Sequence, residues 1–135
     1  MMRREARNWY DGALIDLEEA KSALEGGRPN WALFAAHQAV EKALKAAIVA
    51  LRRERPPRTH DLTELYRASG LELGEDSIAL SELTPYYTVA RYPNAGLERP
   101  WEGISRELAS RLLEAAKRIV EMVGEEIDRG NTEGD

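Results

Sequence analysis

The 135-residue chain contains no cysteine, which excludes a disulfide frame, a thiolate zinc site and a cysteine nucleophile. It has no apolar run near the roughly 20 residues that a membrane span needs. Its opening, Met1-Met2-Arg3-Arg4-Glu5, leads into no apolar signal core. Cytoplasmic residence without membrane contact is therefore the expectation. Histidine occurs only at His37 and His60, and neither sits at a recognisable metal-ligand spacing, so no metal and no cofactor is expected. Strict apolar–polar alternation is sustained nowhere, which argues against strands, and there is no internal repeat.

What is present describes one globular domain with a single core: 43% of residues are hydrophobic and 32% charged. The formal net charge of −5 argues against sequence-blind nucleic-acid binding by the whole surface. That charge is uneven. Between Arg52 and Arg58 four arginines face only Glu54, whereas after Met122 five acids (Glu125, Glu126, Asp128, Glu133, Asp135) face only Arg129. The arginine cluster reads either as a solvated helix end or as an anion-binding patch.

Apolar residues recur at three- and four-residue steps, the helical period. The first helix is predicted from Arg3 to Leu24, with Ala6, Trp9, Ala13, Leu17, Ala20 and Leu24 on one stripe and Gly26-Gly27 ending it. The second runs from Asn30, a candidate cap, to Arg53. Its apolar arc (Trp31, Phe34, Ala35, Ala39, Leu44, Ala47, Ile48, Leu51) is wide and alanines fall on nearly every side, so it packs against more than one neighbour. Arg55-Pro56-Pro57-Arg58 must be a loop. A short third helix opens at Thr59-His60-Asp61-Leu62 and ends near Gly70. A fourth begins near Asp76 and carries Ile78, Leu80, Leu83, Tyr87 and Ala90, with a kink or a break and restart at Pro85. Pro93 to Gly103 reads as a loop, and the last helix spans about Ile104 to Ile127. Residues 1–128 thus form one domain and 129–135 a flexible polar tail. The expected fold is all-α, an up-and-down bundle of four long helices plus one short helix.

Four segments carry a resemblance. They are Trp9 with Ala13, Asp16-Leu17 and Ala20; Trp31 through Ala46, containing Ala39-Val40-Glu41-Lys42-Ala43-Leu44-Lys45-Ala46; Thr59-His60-Asp61-Leu62; and Tyr86-Tyr87-Thr88-Val89-Ala90-Arg91-Tyr92-Pro93-Asn94-Ala95. In this order they resemble the HEPN domain family over about residues 6 to 127. The resemblance implies a helical bundle that is commonly a homodimer. Prokaryotic members are often paired with a minimal nucleotidyltransferase as toxin and antitoxin, and many are metal-independent ribonucleases. Their nuclease motif is an arginine followed four to six residues later by histidine. Arg91 matches the arginine and Asn94 the intervening polar residue, but Gly96, Leu97 and Glu98 stand where the histidine belongs.

That departure bears on chemistry. Metal-independent RNA cleavage needs a group that stabilises charge on the phosphorane, which arginine does, and a base with a pKa near neutrality, normally histidine. Tyr87 and Tyr92, with reference values of about 10, replace it poorly. The leading expectation is a protein that binds nucleotide or RNA, or pairs with a nucleotidyltransferase, without ribonuclease chemistry. One alternative is an active ribonuclease using Arg91 with His60, or failing that His37, as base; another is a purely structural interaction module. The candidate ligand-binding residues are Arg91, Tyr92, Asn94, Tyr87, His60, Lys42 and Lys45. Each has a plainer reading. Arg91 then caps carbonyls, the tyrosines are core or interface aromatics, and His60 bonds a neighbouring carbonyl. His37 becomes a satisfied interior or dimer-facing side chain, and Glu41, Lys42 and Lys45 a solvated face. Trp101, in a glycine- and proline-containing loop, reads as a contact surface.

Overall fold

The computed structural model describes residues 4–91, 99 and 101–134. The expected positions Tyr92 and Asn94, and Gly96, Leu97 and Glu98, lie outside the described residues. The chain forms the all-α bundle anticipated from its periodicity: α1 (Arg4–Glu25), α2 (Pro29–Ala47), α3 (Leu62–Ser69), α4 (Ile78–Leu83), α5 (Tyr86–Val89) and α6 (Arg106–Gly134). One π-helical turn, Ile48–Arg52, prolongs α2, and one 3₁₀ turn, Gly74–Ser77, precedes α4.

Alanine decides how the layers sit. The buried positions of α1 are Ala6, Ala13, Ala20 and Ala23, and α2 turns Ala32, Ala36, Ala39, Ala43, Ala46 and Ala47 inward. Side chains this small let the two helices lie close, and α1 against α2 is the most extensive packing in the molecule. On its other side α2 meets α6, whose Ala109, Leu112, Ala116, Ile119, Val120, Val123 and Ile127 are buried. The short helices α3 and α5 also rest on α2, making it the axis on which everything else is positioned.

Local chemistry sets the element ends. Gly27 (φ 75°) closes α1, with the Arg28 N–H donating to Ala23 O at 2.8 Å and Gly27 N–H to Leu24 O at 3.2 Å, the paired bonds of a Schellman end. Asp61 caps α3 by accepting from the Thr63 and Glu64 N–H groups. The expected cap at Asn30 is not formed. Pro29 occupies the first turn, where its missing N–H costs nothing, and Asn30 is buried with its Nδ2 donating to Ala90 O at 3.1 Å.

The fourth helix of the expected bundle is delivered in pieces, by a break and restart. Pro85 has no N–H to continue α4, and Thr84 turns its hydroxyl to two uses, donating to Leu80 O and accepting from the Leu62 N–H that opens α3. Bidentate Arg111–Glu82 and Arg118–Asp76 pairs tie these pieces to α6. At the other end of the chain α6 does not stop near Ile127; its helical backbone runs on through the segment expected as a tail.

Candidate functional site

One stripe of α2 carries Phe34, His37, Gln38, Glu41 and Lys45, spaced three and four residues apart and therefore stacked along one face. The segment before α3 brings His60 onto this stripe, α5 brings Tyr87, and the turn after it brings Arg91. The Asn30 bond to Ala90 O fixes the backbone next to Arg91 against the start of α2.

Glu41 is the hub. It is 4% exposed, its Oε1 accepts from His60 Nδ1 at 2.8 Å, and its Oε2 accepts from Lys45 Nζ at 3.0 Å. The i, i+4 pair read from the sequence therefore exists, but as a buried pair and not on a solvated face. Lys45 also lies 5.2 Å from the Trp9 ring. Because the carboxylate accepts from Nδ1–H, the lone pair of the neutral His60 ring resides on Nε2, and that nitrogen has no hydrogen-bond partner among the described residues. The His60 side chain is 46% exposed.

His37, one turn nearer the start of α2, is fully buried. Its Nε2 donates to His60 O at 2.8 Å, so one histidine positions the backbone of the other. Burial pulls the His37 pKa below its ordinary value, against smaller opposing contributions from its bonds to Gln38 and His60 and from the Glu41 carboxylate. Its Nδ1 faces the Gln38 side-chain amide at 3.0 Å.

Tyr87 joins the histidine to the arginine. Its ring stacks on His60 with centroids 3.6 Å apart and planes 14° from parallel. The Arg91 guanidinium carbon lies 4.4 Å from the same ring centroid and 4.9 Å from that of Phe34. Imidazole and guanidinium are thus separated by no more than these two short steps through Tyr87. Arg91 Nε also donates to Tyr87 O at 2.7 Å, so the carbonyl-capping reading is realised by one edge of the same guanidinium that packs on the aromatic rings.

Of the expected residues, the fold brings together Arg91, Tyr87, His60 and, through Glu41, Lys45. Lys42 goes elsewhere. It passes Gly12, where a Cβ would stand 3.2 Å from Lys42 Cδ, and reaches Asp16 Oδ2 at 2.8 Å, close but not aligned as a hydrogen bond. The sequence reading missed the central roles of Glu41 and Phe34. The signal available was their shared stripe with His37 and Lys45. The Arg52–Arg58 segment leads directly into His60, and all four of its arginines are exposed. Among the described residues no set of three His, Asp or Glu side chains converges to hold a metal ion, and no helix is long and apolar enough to cross a membrane.

Comparison with known proteins agrees with this architecture. The profile of the HEPN domain matches residues 6–127. Among solved structures, TT1696 from Thermus thermophilus is 32% identical, with 91% of this chain and 98% of that one covered and a TM-score of 0.79. ST0689, described as an archaeal HEPN homologue, is 29% identical, with 93% and 99% covered and a TM-score of 0.73. The HEPN domain protein tm0613 from Thermotoga maritima is 28% identical, with 90% and 98% covered and a TM-score of 0.65. No curated protein matches significantly.

Proposed function

Because the chain belongs to the HEPN domain family, we propose that it binds the phosphate of a nucleotide or of RNA at the corner where Arg91, Tyr87 and His60 meet. The observation that carries this reading is the common contact on Tyr87. A guanidinium and a half-exposed imidazole, held by different elements, converge on one ring. Arginine recognises phosphate through paired N–H donors, and exposed rings stack with bases. Titration calorimetry with mononucleotides and short single-stranded RNAs tests it. Arg91→Ala should weaken binding about 10-fold or more, the value of a charge-assisted bond. Absence of any binding by the wild-type chain refutes it.

The Glu41–His60 couple favours a second reading, in which the same corner cuts RNA. His60 Nε2 would take the proton of a 2′-hydroxyl, whose oxygen forms a bond to phosphorus. The P–O5′ bond breaks, the leaving oxygen takes a proton from water, and a 2′,3′-cyclic phosphate remains. Glu41 keeps the imidazole in the tautomer this requires, and Arg91 faces the charge that builds on the phosphorane. Cleavage in EDTA, lost in both Arg91→Ala and His60→Ala, supports this. RNA left intact after long incubation at high protein concentration eliminates it.

The partners proposed are those the family implies: a second copy of the chain and a minimal nucleotidyltransferase, in a toxin–antitoxin-like setting in the cytoplasm. Support for a protein contact comes from α1 and α6, which leave a groove of about 710 Å³ between them, with Leu14 and the 62% exposed Ile15 on its rim. A monomeric mass at tens of micromolar refutes the homodimer.

A further inference from the structure

A second groove, of about 370 Å³, opens between α1 and α2, and Phe34 is part of its lining together with Asp16, Glu19, Arg28, Trp31 and Gln38. Trp31 stands at the start of α2 with 45% of its surface exposed, edge-on to Phe34 at a centroid distance of 5.9 Å. Glu19 is exposed and has no hydrogen-bond or ion-pair partner among the described residues. Phe34 serves both places: one neighbour is Trp31, and another is the Arg91 guanidinium at 4.9 Å. The groove and the Arg91 corner therefore share a wall, two ring contacts apart.

We propose that this groove is a nucleobase subsite, in which a guanine stacks on Trp31 while Arg91 holds its phosphate. The inference rests on the phosphate reading of Arg91 and adds the part of the ligand that reading leaves unspecified. Trp31 supplies an open aromatic surface, which every base can use. Selection comes from the carboxylates, which only accept hydrogen bonds. Guanine presents two adjacent donors, N1–H and the 2-amino group, and can meet a carboxylate in bidentate fashion. Uracil offers one N–H between two carbonyls and cannot. Asp16 is already engaged by Lys42, so Glu19 is the selecting group.

The test is calorimetric titration of the full chain with GMP, UMP, guanosine and ribose 5-phosphate, for the wild type and for Trp31→Ala, Trp31→Phe, Glu19→Gln and Arg91→Ala. GMP should bind about 5- to 150-fold more tightly than ribose 5-phosphate, the range base–aromatic stacking commands. Trp31→Ala should abolish that difference, Trp31→Phe keep most of it, and Glu19→Gln level GMP with UMP. Arg91→Ala should weaken GMP and ribose 5-phosphate alike and leave guanosine unchanged. Arg91-dependent binding of ribose 5-phosphate with GMP no tighter overturns the groove and spares the phosphate site. Trp31-dependent binding of guanosine with GMP no tighter does the reverse. A Trp31→Ala chain that drops to half the wild-type mass in solution, without changing base preference, shows the groove to be covered by a second copy and overturns the proposal.

Discussion

Glutamine in place of Glu41 preserves the shape of the side chain and removes its charge, and the structure lets the consequence be sized. The carboxylate is almost fully buried and bonded to two cation-forming groups, Lys45 at 3.0 Å and His60 at 2.8 Å. Hydrogen bonds to charged groups contribute about 1.5–3 kcal/mol each, and stripping one partner from a buried ion pair costs about 3–5 kcal/mol because the other charge is left uncompensated. Lys45 is 11% exposed and His60 half-exposed, so solvent recovers part of that loss. The substituted amide also still accepts one bond. The expected cost of Glu41→Gln is therefore about 2–3 kcal/mol, below the full penalty for stripping a buried pair. Urea unfolding reads it as a lower midpoint at unchanged slope. Adding Lys45→Met should return about half of the loss, since the stranded ammonium is then gone, and the non-additivity isolates the pair. A Glu41→Gln midpoint corresponding to less than about 0.5 kcal/mol, the range of ordinary surface changes, would refute the reasoning. The hub would then be a solvated pair and not a buried one.

Alanine in the middle of a helix is normally better than glycine by about 0.5–1 kcal/mol, but Gly124→Ala should instead destabilise by about 1–3 kcal/mol, the cost of overpacking. An added Cβ would lie 2.7 Å from Tyr10 Cζ and force the ring off its 2.9 Å bond to Val120 O; a raised melting temperature contradicts this. Asn30→Ala should cost about 1–3 kcal/mol by leaving the Ala90 carbonyl unpaired, and it should weaken ligand binding at Arg91 without removing it. Equal binding would show that this bond does not position the corner. Burial holds His37 neutral, so as pH falls through about 6.5 the unfolded chain binds a proton that the folded chain refuses. Stability, fully present above that pH, should then fall by up to about 1.4 kcal/mol per unit for this one group. His37→Gln retains a donor for His60 O and should flatten the pH dependence between about 7 and 5.5; parallel curves would assign the effect to another group.

Much of the site was named by the sequence, though its connections were not. Arg91, Tyr87 and His60 are legible because they fall in segments that carry the family resemblance. The leading expectation turned on the positions that follow Arg91 along the chain and kept His60 as the alternative base; His60 arrives from 31 positions away, across the bundle. Glu41 and Lys45 were visible as an i, i+4 pair, a local relation that any helix satisfies whether its face is wet or buried. Lys42, next to Glu41, was a candidate ligand-binding residue but points at α1, because a single step rotates a side chain about 100° around the helix.

The sequence by itself determined the helices, most of their ends and the all-α class. Periodicity, prolines and glycines act over a few residues and are written in order along the chain. It also determined the wealth of alanine that brings α1 and α2 together. Only the tertiary structure decided which face of α2 meets α5 and the His60 segment, whether Asn30 caps its own helix or holds a distant carbonyl, and that Glu41 lies in the interior. These outcomes depend on how rigid helices settle against one another. Burial and charge pairing over tens of residues are set at that step, and no local pattern encodes them.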